Sequence, residues 1–426
     1  MGDHLGQLIE LEISNVAHGG VMVARHDGRV VFVSDAIPGE TVRAVVSDDS
    51  KAKFWRADTV EVLAASEHRQ EHVWSAASID RRPEDRAGGA EFGHIIPEHQ
   101  RELKRRVLAD ALARMAGIDS PVHVEAIQGR VDGTGWRTRV RLHAAEDGAL
   151  GPYAARSHRV IPVRDLPLAT DAVADAAPLG GRFSGPVDLV SPSIGPVLVI
   201  DDDRELPPIT ERVGEREFRL DARGFWQVHE AAAHTLSRAV QEAILPDLFD
   251  PDAPNLDLYG GVGLLAAAVG DRFGSGRGSG RGSGGSGGSG GAGGAGGAGG
   301  GIRITTVESD ARATEFAREN LADWPRARAV TSRVDRYLTR LRVDGQRLDR
   351  ATVVLDPPRS GAGRGVVNEL AGLSPAHIIY VACDPVALAR DIDLFAQQGY
   401  LLEGIRAFDL FPNTHHVEAV ASIMRA

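Results

Sequence analysis

The chain has 426 residues and carries 48 Lys and Arg against 59 Asp and Glu, a formal net charge of −11 at pH 7. That sign excludes a generic nucleic-acid coat, so any RNA partner has to be held on a local basic surface. A lone cysteine, Cys383, excludes an internal disulfide. No apolar run approaches a membrane span, and Met1-Gly-Asp-His4 lacks an apolar signal core, so a cytoplasmic protein of two or three domains with no membrane partner is expected.

From the amino terminus, Gln7-Leu-Ile-Glu-Leu-Glu-Ile13 alternates apolar and polar residues, Gly19-Gly20 interrupts the run, and Val21-Met-Val-Ala24 resumes it. His26-Asp-Gly28-Arg29 reads as a hairpin turn, followed by Val30-Val-Phe-Val33 and the turn Ile37-Pro-Gly39-Glu40. Short strands at this spacing predict a small β-barrel over residues 1–66, of the kind that holds oligonucleotides on a sheet face and its loops. A purely structural barrel is the plainer alternative.

Residues 67–215 predict an α/β middle domain. Pro97 to Ala116 gathers Leu103, Val107, Leu108, Ala111, Leu112 and Met115 on one side of an amphipathic helix. The same stretch holds the one basic run of note, Arg101-Glu-Leu-Lys104-Arg105-Arg106; Lys51, Lys53 and Lys104 are the three lysines of the chain. Trp136-Arg137-Thr-Arg139-Val-Arg141-Leu142 alternates and sets three arginines on one face of a strand, either to grip phosphates or as a solvated edge.

Residues 216–426 predict an α/β sheet of Rossmann-like order. Asn255-Leu-Asp257-Leu-Tyr259-Gly260-Gly261-Val-Gly263 is a short strand running into glycines and a helix start, where backbone N–H groups are free to meet a ligand. A second strand, Ile302 to Val307, ends in Glu308, either a ribose-diol acceptor or a helix N-terminal charge. Between them, the Gly-Ser-Gly-Arg, Gly-Gly-Ser and Gly-Gly-Ala repeats over 274–301 cannot bury apolar area and predict a disordered, passive insertion. Thr352-Val-Val-Leu-Asp356-Pro357-Pro358-Arg359 is a buried strand with a rigid exit that fixes Asp356 at the sheet's carboxyl edge. His377 to Ala382 is another, ended by Asp384-Pro385, so Cys383 lies where open α/β sheets carry their chemistry. A small apolar filler is the bland reading of a lone cysteine. Adjacent His415 and His416 point to opposite faces of an extended segment, and no metal site is predicted.

In this order, Asp257-Leu-Tyr-x-Gly-x-Gly, Asp356-Pro-Pro-Arg359, Tyr380-Val-x-Cys383-x-Pro and Thr414-x-His-x-Glu418 resemble the motifs of the RNA uridine-5-methyltransferase family, in the form led by a TRAM barrel. The likeness spans nearly the whole chain. It implies a class I methyltransferase domain that transfers a methyl group from S-adenosylmethionine to a uridine of transfer or ribosomal RNA. Cys383 is then the nucleophile and Glu418 the general base, while Gln227, Tyr259, Glu308, Asp356 and, by a looser match, Asp335 hold the cofactor. Many members carry an iron–sulfur cluster on C-x5-C-G-G-C and a later C-P-L. Here those positions hold Ala87, Ala90 and Leu166, with the first near Arg81, so no cluster is expected.

The chemistry demands these residue types. Uracil C5 becomes nucleophilic when a thiolate adds to C6, and the methylated sp³ carbon has to lose its proton before the thiol leaves. The site therefore has to favour a thiolate, and Arg359 and Arg390 are the neighbouring cations in sequence. The chain is expected to act as a monomer. A cytosine-C5 methyltransferase and a non-catalytic RNA-binding protein that keeps the fold are the alternatives; retention of Cys383 and Glu418 argues against the second.

Overall fold

The computed structural model describes residues 4–51, 53–274 and 301–426. The glycine-rich insertion, with its expected disorder, falls almost wholly outside the described residues.

The first strands are β1 (Leu8–Val16), β2 (Met22–His26), β3 (Arg29–Ser34), β4 (Thr41–Asp48) and β5 (Phe54–Ala64), and they close into a barrel in the order β1-β2-β3-β5-β4. Ile9, Leu11 and Ile13 alternate inward along β1. Asp27 and Gly28 take φ of 50° and 76°, the two-residue turn that matches the twist of a hairpin. Closure leaves no open strand edge.

The middle segment comprises α1 (Pro97–Ala111), β6 (Val124–Glu125), β7 (Arg139–Ala144), β8 (Leu150–Gly151), α2 (Asp171–Ala176), β9 (Val187–Val190) and β10 (Leu198–Ile200). Helix α1 starts on Pro97, continues through a wider turn over Leu112–Ala116, and stops at Gly117 with φ 66°. Strands β10-β9-β7-β8 form a small sheet, and Ala87, Ala90 and Leu166 lie in one apolar cluster with Trp74, Trp136 and Ile161. A hairpin, β11 (Ile209–Val213) with β12 (Arg216–Leu220), straddles residues 215 and 216 and packs its Phe218 and Leu220 into the following domain.

The last domain alternates α3 (Ala232–Ala243), β13 (Asn255–Leu258), α4 (Leu264–Phe273), β14 (Ile304–Glu308), α5 (Ala311–Asn320), β15 (Ala327–Thr331), α6 (Val334–Val343), β16 (Thr352–Leu355), α7 (Gly363–Leu373), β17 (His377–Ala382), α8 (Pro385–Ala396), β18 (Tyr400–Phe408) and β19 (Glu418–Arg425). Its sheet runs β15-β14-β13-β16-β17-β19-β18-β6, the first five strands parallel and β19 inserted antiparallel. Strands β13, β16 and β17 are buried at every residue, as expected where helices cover both faces. Among the described residues no helix is long and apolar enough to cross a membrane.

Helix α1 fastens the segment that leads into β19. The fully buried Lys104 Nζ donates to Asp409 Oδ1 at 2.5 Å and to the Phe411 carbonyl at 3.0 Å. Gln100 exchanges bonds with Asn413, donating to Oδ1 at 2.9 Å and accepting from the backbone N–H at 2.7 Å. The basic run of α1 is thus structural, since Arg105 and Arg106 also pair with Glu102. Lys104→Ala should leave Asp409 buried without its counter-ion and cost about 3–5 kcal/mol in urea unfolding. Lys104→Met combined with Asp409→Leu should recover most of that loss.

Candidate active site

Every main site residue expected from sequence, apart from Gln227 and Asp335, lies on one rim of the large sheet. Glu308 ends β14, Tyr259 follows β13, Asp356 follows β16 and Cys383 follows β17, all at carboxyl ends of parallel strands. Glu418 reaches the same rim because β19 runs the other way. Ala382 pairs with Ala419, so the next cross-strand positions are Cys383 and Glu418.

On the β13 side the backbone forms a cradle. A Cβ on Gly260 would stand 1.9 Å from Thr306 Oγ1 and 2.4 Å from Asp257 Oδ2, so only glycine fits there. Tyr259 has φ 63°, an uncommon left-handed conformation for a side chain of its size. Gly261, with φ 52°, faces open space, and its N–H donates to Glu308 Oε2 at 3.2 Å. Asp257 accepts from Thr306 Oγ1 at 2.8 Å through Oδ2, while its buried Oδ1 has no partner. An open glycine face, an unpartnered carboxylate oxygen and an acid at the end of the second strand fit an adenosine-containing cofactor.

Gln227 sits in an irregular loop whose carbonyls at Ala222 and Gly224 accept from Arg139 Nη1 at 3.3 and 2.8 Å. Trp226 is buried there against Phe218, whereas Phe225 stands 76% exposed. Asp335 lies at the start of α6, half-buried, with its carboxylate bonded to Arg333 at 2.9 and 3.1 Å.

Cys383 opens onto a cavity of about 200 Å³ built from all parts of the chain. The barrel contributes His18, Gly19 and Gly20, the middle segment Phe92 and Lys104, and the last domain Arg359, His415 and His416. His18 Nε2 lies 3.3 Å from Asp384 Oδ2, and a Cβ on Gly20 would come within 2.5 Å of His415 Cβ. The Gly19-Gly20 interruption in the barrel pattern is therefore where the barrel approaches the site.

Electrostatics run against a ready thiolate. Burial, then Glu418 and more weakly Asp356 and Asp384, push the Cys383 thiol up to about 12, opposed only by Arg359. Burial and Asp356 hold Glu418 well above the ordinary carboxylate range. Burial, with Asp257 beside it, raises Asp356 to about 7, and burial raises Asp257 to about 6. The expected thiolate-favouring site is thus not seen in the unliganded protein: burial of the thiol, with acids rather than cations as most of its neighbours, keeps it protonated. Arg390 is occupied elsewhere, bonding Asp391 and the Ser360 carbonyl.

Sequence reasoning missed Asp391. Its buried Oδ2 accepts from the Ala362 and Gly363 N–H groups at 2.7 and 3.1 Å and from the Tyr380 hydroxyl at 2.7 Å. These bonds fix the loop that carries Asp356 and Arg359, and the only sequence signal was an Arg-Asp pair in the helix after Cys383. Among the described residues no group of His, Cys, Asp and Glu is arranged to hold a metal ion.

A family model for tRNA (Uracil-5-)-methyltransferase matches residues 327–425, and a TRAM domain model matches residues 4–60. An uncharacterized RNA methyltransferase of Streptomyces avermitilis is 36% identical over 98% of each chain. Another, from Bifidobacterium longum, is 31% identical over 98% of this chain and 96% of its own. The crystal structure of Pyrococcus abyssi tRNA (uracil-54, C5)-methyltransferase superposes with a TM-score of 0.67 at 19% identity, covering 99% of this chain and 100% of that one, which shows a shared fold.

With one cysteine in the chain, alkylation reads the site directly. Iodoacetamide should modify the unliganded protein on the order of 100-fold more slowly than free cysteine at neutral pH, and the rate should rise about tenfold per pH unit above it as the thiolate fraction grows. Asp356 binds its proton more tightly folded than unfolded, so its stabilising contribution is complete below the unfolded value of about 3.9 and is lost as pH rises through about 7. Asp356→Asn should match the parent's melting temperature near pH 4 and exceed it by about 2–4 °C at pH 8.

Proposed function

Because the chain belongs to the TRAM-containing tRNA (uracil-5-)-methyltransferase family, we propose that it methylates C5 of a uridine in transfer RNA through a covalent bond between Cys383 and C6 of the base. It is an S-adenosylmethionine-dependent RNA methyltransferase of the uracil-5 type. The observation that carries the covalent reading is the register that sets Cys383 opposite Glu418, beside a base-sized cavity and on the same sheet rim as the glycine cradle. A cavity this small admits one unstacked base, so the uridine has to leave its stack to react. The matching family model describes tRNA (Uracil-5-)-methyltransferases, which favours transfer over ribosomal RNA.

S-adenosylmethionine supplies an electrophilic methyl group when held by Gln227, Tyr259, Glu308 and Asp356, with Asp335 at the rim. Cys383 gives up its thiol proton to water as the site loads, its thiolate adds to C6, and the electron pair of the C5=C6 bond moves to C5 and the ring carbonyl. Arg359 is the cation beside the thiol and offsets the charge that develops there. After C5 is alkylated, Glu418 takes its proton, the double bond re-forms, and Sγ leaves. Glu418 has to enter that step ionised, so the loaded site has to differ electrostatically from the unliganded one.

Transfer RNA containing 5-fluorouridine should form a stable protein–RNA adduct, because fluorine cannot depart as a cation and elimination stalls. Cys383→Ala should neither trap nor methylate, while Glu418→Gln should form the adduct with ordinary RNA and release it slowly. Wild-type turnover by Cys383→Ala would end the covalent reading. Mass spectrometry of the methylated RNA should place 5-methyluridine in transfer RNA; its appearance only in ribosomal RNA would end the substrate assignment.

A further inference from the structure

The three arginines that alternate from residue 137 to 141 have separate fates. Arg141 makes two bonds to Asp188 at 2.7 and 2.6 Å, and Arg139 braces the Gln227 loop with Glu211 nearby at 3.5 Å. Arg137 has no such partner. None of its side-chain nitrogens makes a hydrogen bond or ion pair among the described residues, and its Nε is sealed from solvent. The residue is half-buried, so the tip of the guanidinium keeps a path to open space.

Its placement is rigid. The Arg137 N–H donates to the Leu168 carbonyl at 2.8 Å, its carbonyl accepts from Thr170 at 3.0 Å, and its backbone bridges His229 on the other side. The guanidinium lies 4.7 Å from the centre of the Trp136 ring. That ring meets Phe411 edge-on at 6.1 Å, and Phe411 meets His416, a wall of the Cys383 cavity, at 5.7 Å. The charged groups that Arg137 feels are Glu91 and Arg359. Glu91 is turned to His415, 3.5 Å away, and Arg359 has the same sign as Arg137. A half-buried cation facing a like charge, with its nearest acid engaged elsewhere, destabilises the unliganded fold.

We propose that Arg137 is an anion site for the RNA backbone, taking the phosphodiester that flanks the uridine in the Cys383 cavity. The proposal rests on the RNA methylation reading and extends it to how the nucleotide is held. A planar guanidinium already stacked on an indole presents its remaining N–H groups in the fork that phosphate oxygens match. Of the groups an RNA brings within one nucleotide of the base, only the phosphates carry charge. The other anion that could reach the site is the carboxylate of the cofactor, and the test separates the two.

Equilibrium binding of a synthetic hairpin RNA with a loop uridine is measured for the parent, Arg137→Gln and Arg137→Lys from 50 to 200 mM salt, with calorimetry of S-adenosylhomocysteine in parallel. Arg137→Gln should bind the RNA roughly tenfold more weakly, and its slope of log K against log salt should fall by about 0.7–0.9, one phosphate contact. A methylphosphonate linkage beside the uridine should weaken the parent equally and leave Arg137→Gln unchanged. Arg137→Lys should keep the slope with reduced affinity. Cofactor affinity should be unaltered, and the melting temperature of Arg137→Gln should equal or exceed the parent's, because an unpaired charge has gone. A parental slope in Arg137→Gln, a lowered melting temperature, or lost cofactor affinity with RNA binding intact each overturns the proposal. A parent that neither binds nor methylates RNA would instead overturn the reading beneath it.

Discussion

The pairing of β19 with β17 is the constraint on which the site depends. Parallel strands bring only their carboxyl ends to the reactive rim, and those ends supply Glu308, Tyr259, Asp356 and Cys383. A group opposite the thiol has to come from a strand entering at that rim, and β19, inserted antiparallel between β17 and β18, provides it in Glu418. A one-residue slip would turn Glu418 to the other face of the sheet. The register is held from outside as well as within: Lys104 and Gln100 of α1 grip Asp409, Phe411 and Asn413, the residues that deliver the chain into β19. A helix of the middle segment thereby sets the geometry of the last domain.

The acids around Cys383 give the unliganded site a definite character. Asp257, Asp356 and Glu418 are all raised by burial, and each negative charge that forms makes the next harder to form. The thiol shares this environment and stays protonated. Since the thiolate is the form that oxidants and stray electrophiles attack, a protonated, half-buried Cys383 is protected in the unliganded protein. Reactivity then has to be created by what binds, since a cation held at this rim would favour the charged form of the thiol as well as of the acids.

Much of this architecture was legible in the sequence because the signals were local. Alternation gave the barrel, β-branched runs gave β16 and β17, and glycines marked both the cradle and the barrel's approach at Gly20. Cys383 and Glu418 stood at strand ends that pattern alone could identify, although their mutual facing depends on a strand order that no local pattern encodes. Long-range partnerships were hidden for the same reason. Lys104 lies 305 residues from Asp409, and in sequence it read as part of a basic surface. Asp391 looked like one more helical acid, and its hold on the Asp356–Arg359 loop appears only when α8 packs beneath it. The thiol's environment was not legible because burial, the largest influence on it, is a property of the fold.

The net charge of −11 is the least informative quantity about RNA binding in this chain. What matters is which arginines remain free once the fold has used the others. Arg43, Arg69, Arg105, Arg106 and Arg141 are taken up by carboxylates on the same chain. Arg56 of the barrel has no ion pair among the described residues and lies 5.8 Å from both the Phe32 and Phe54 rings, the kind of surface on which bases stack. Arg359 is exposed at the cavity wall and has no ion pair among the described residues. Many acidic groups are already paired with basic side chains of the same chain, so an uncommitted cation such as Arg359 weighs more at the cavity than the net charge suggests. A protein acidic as a whole can therefore present a positive grip where a nucleotide has to enter.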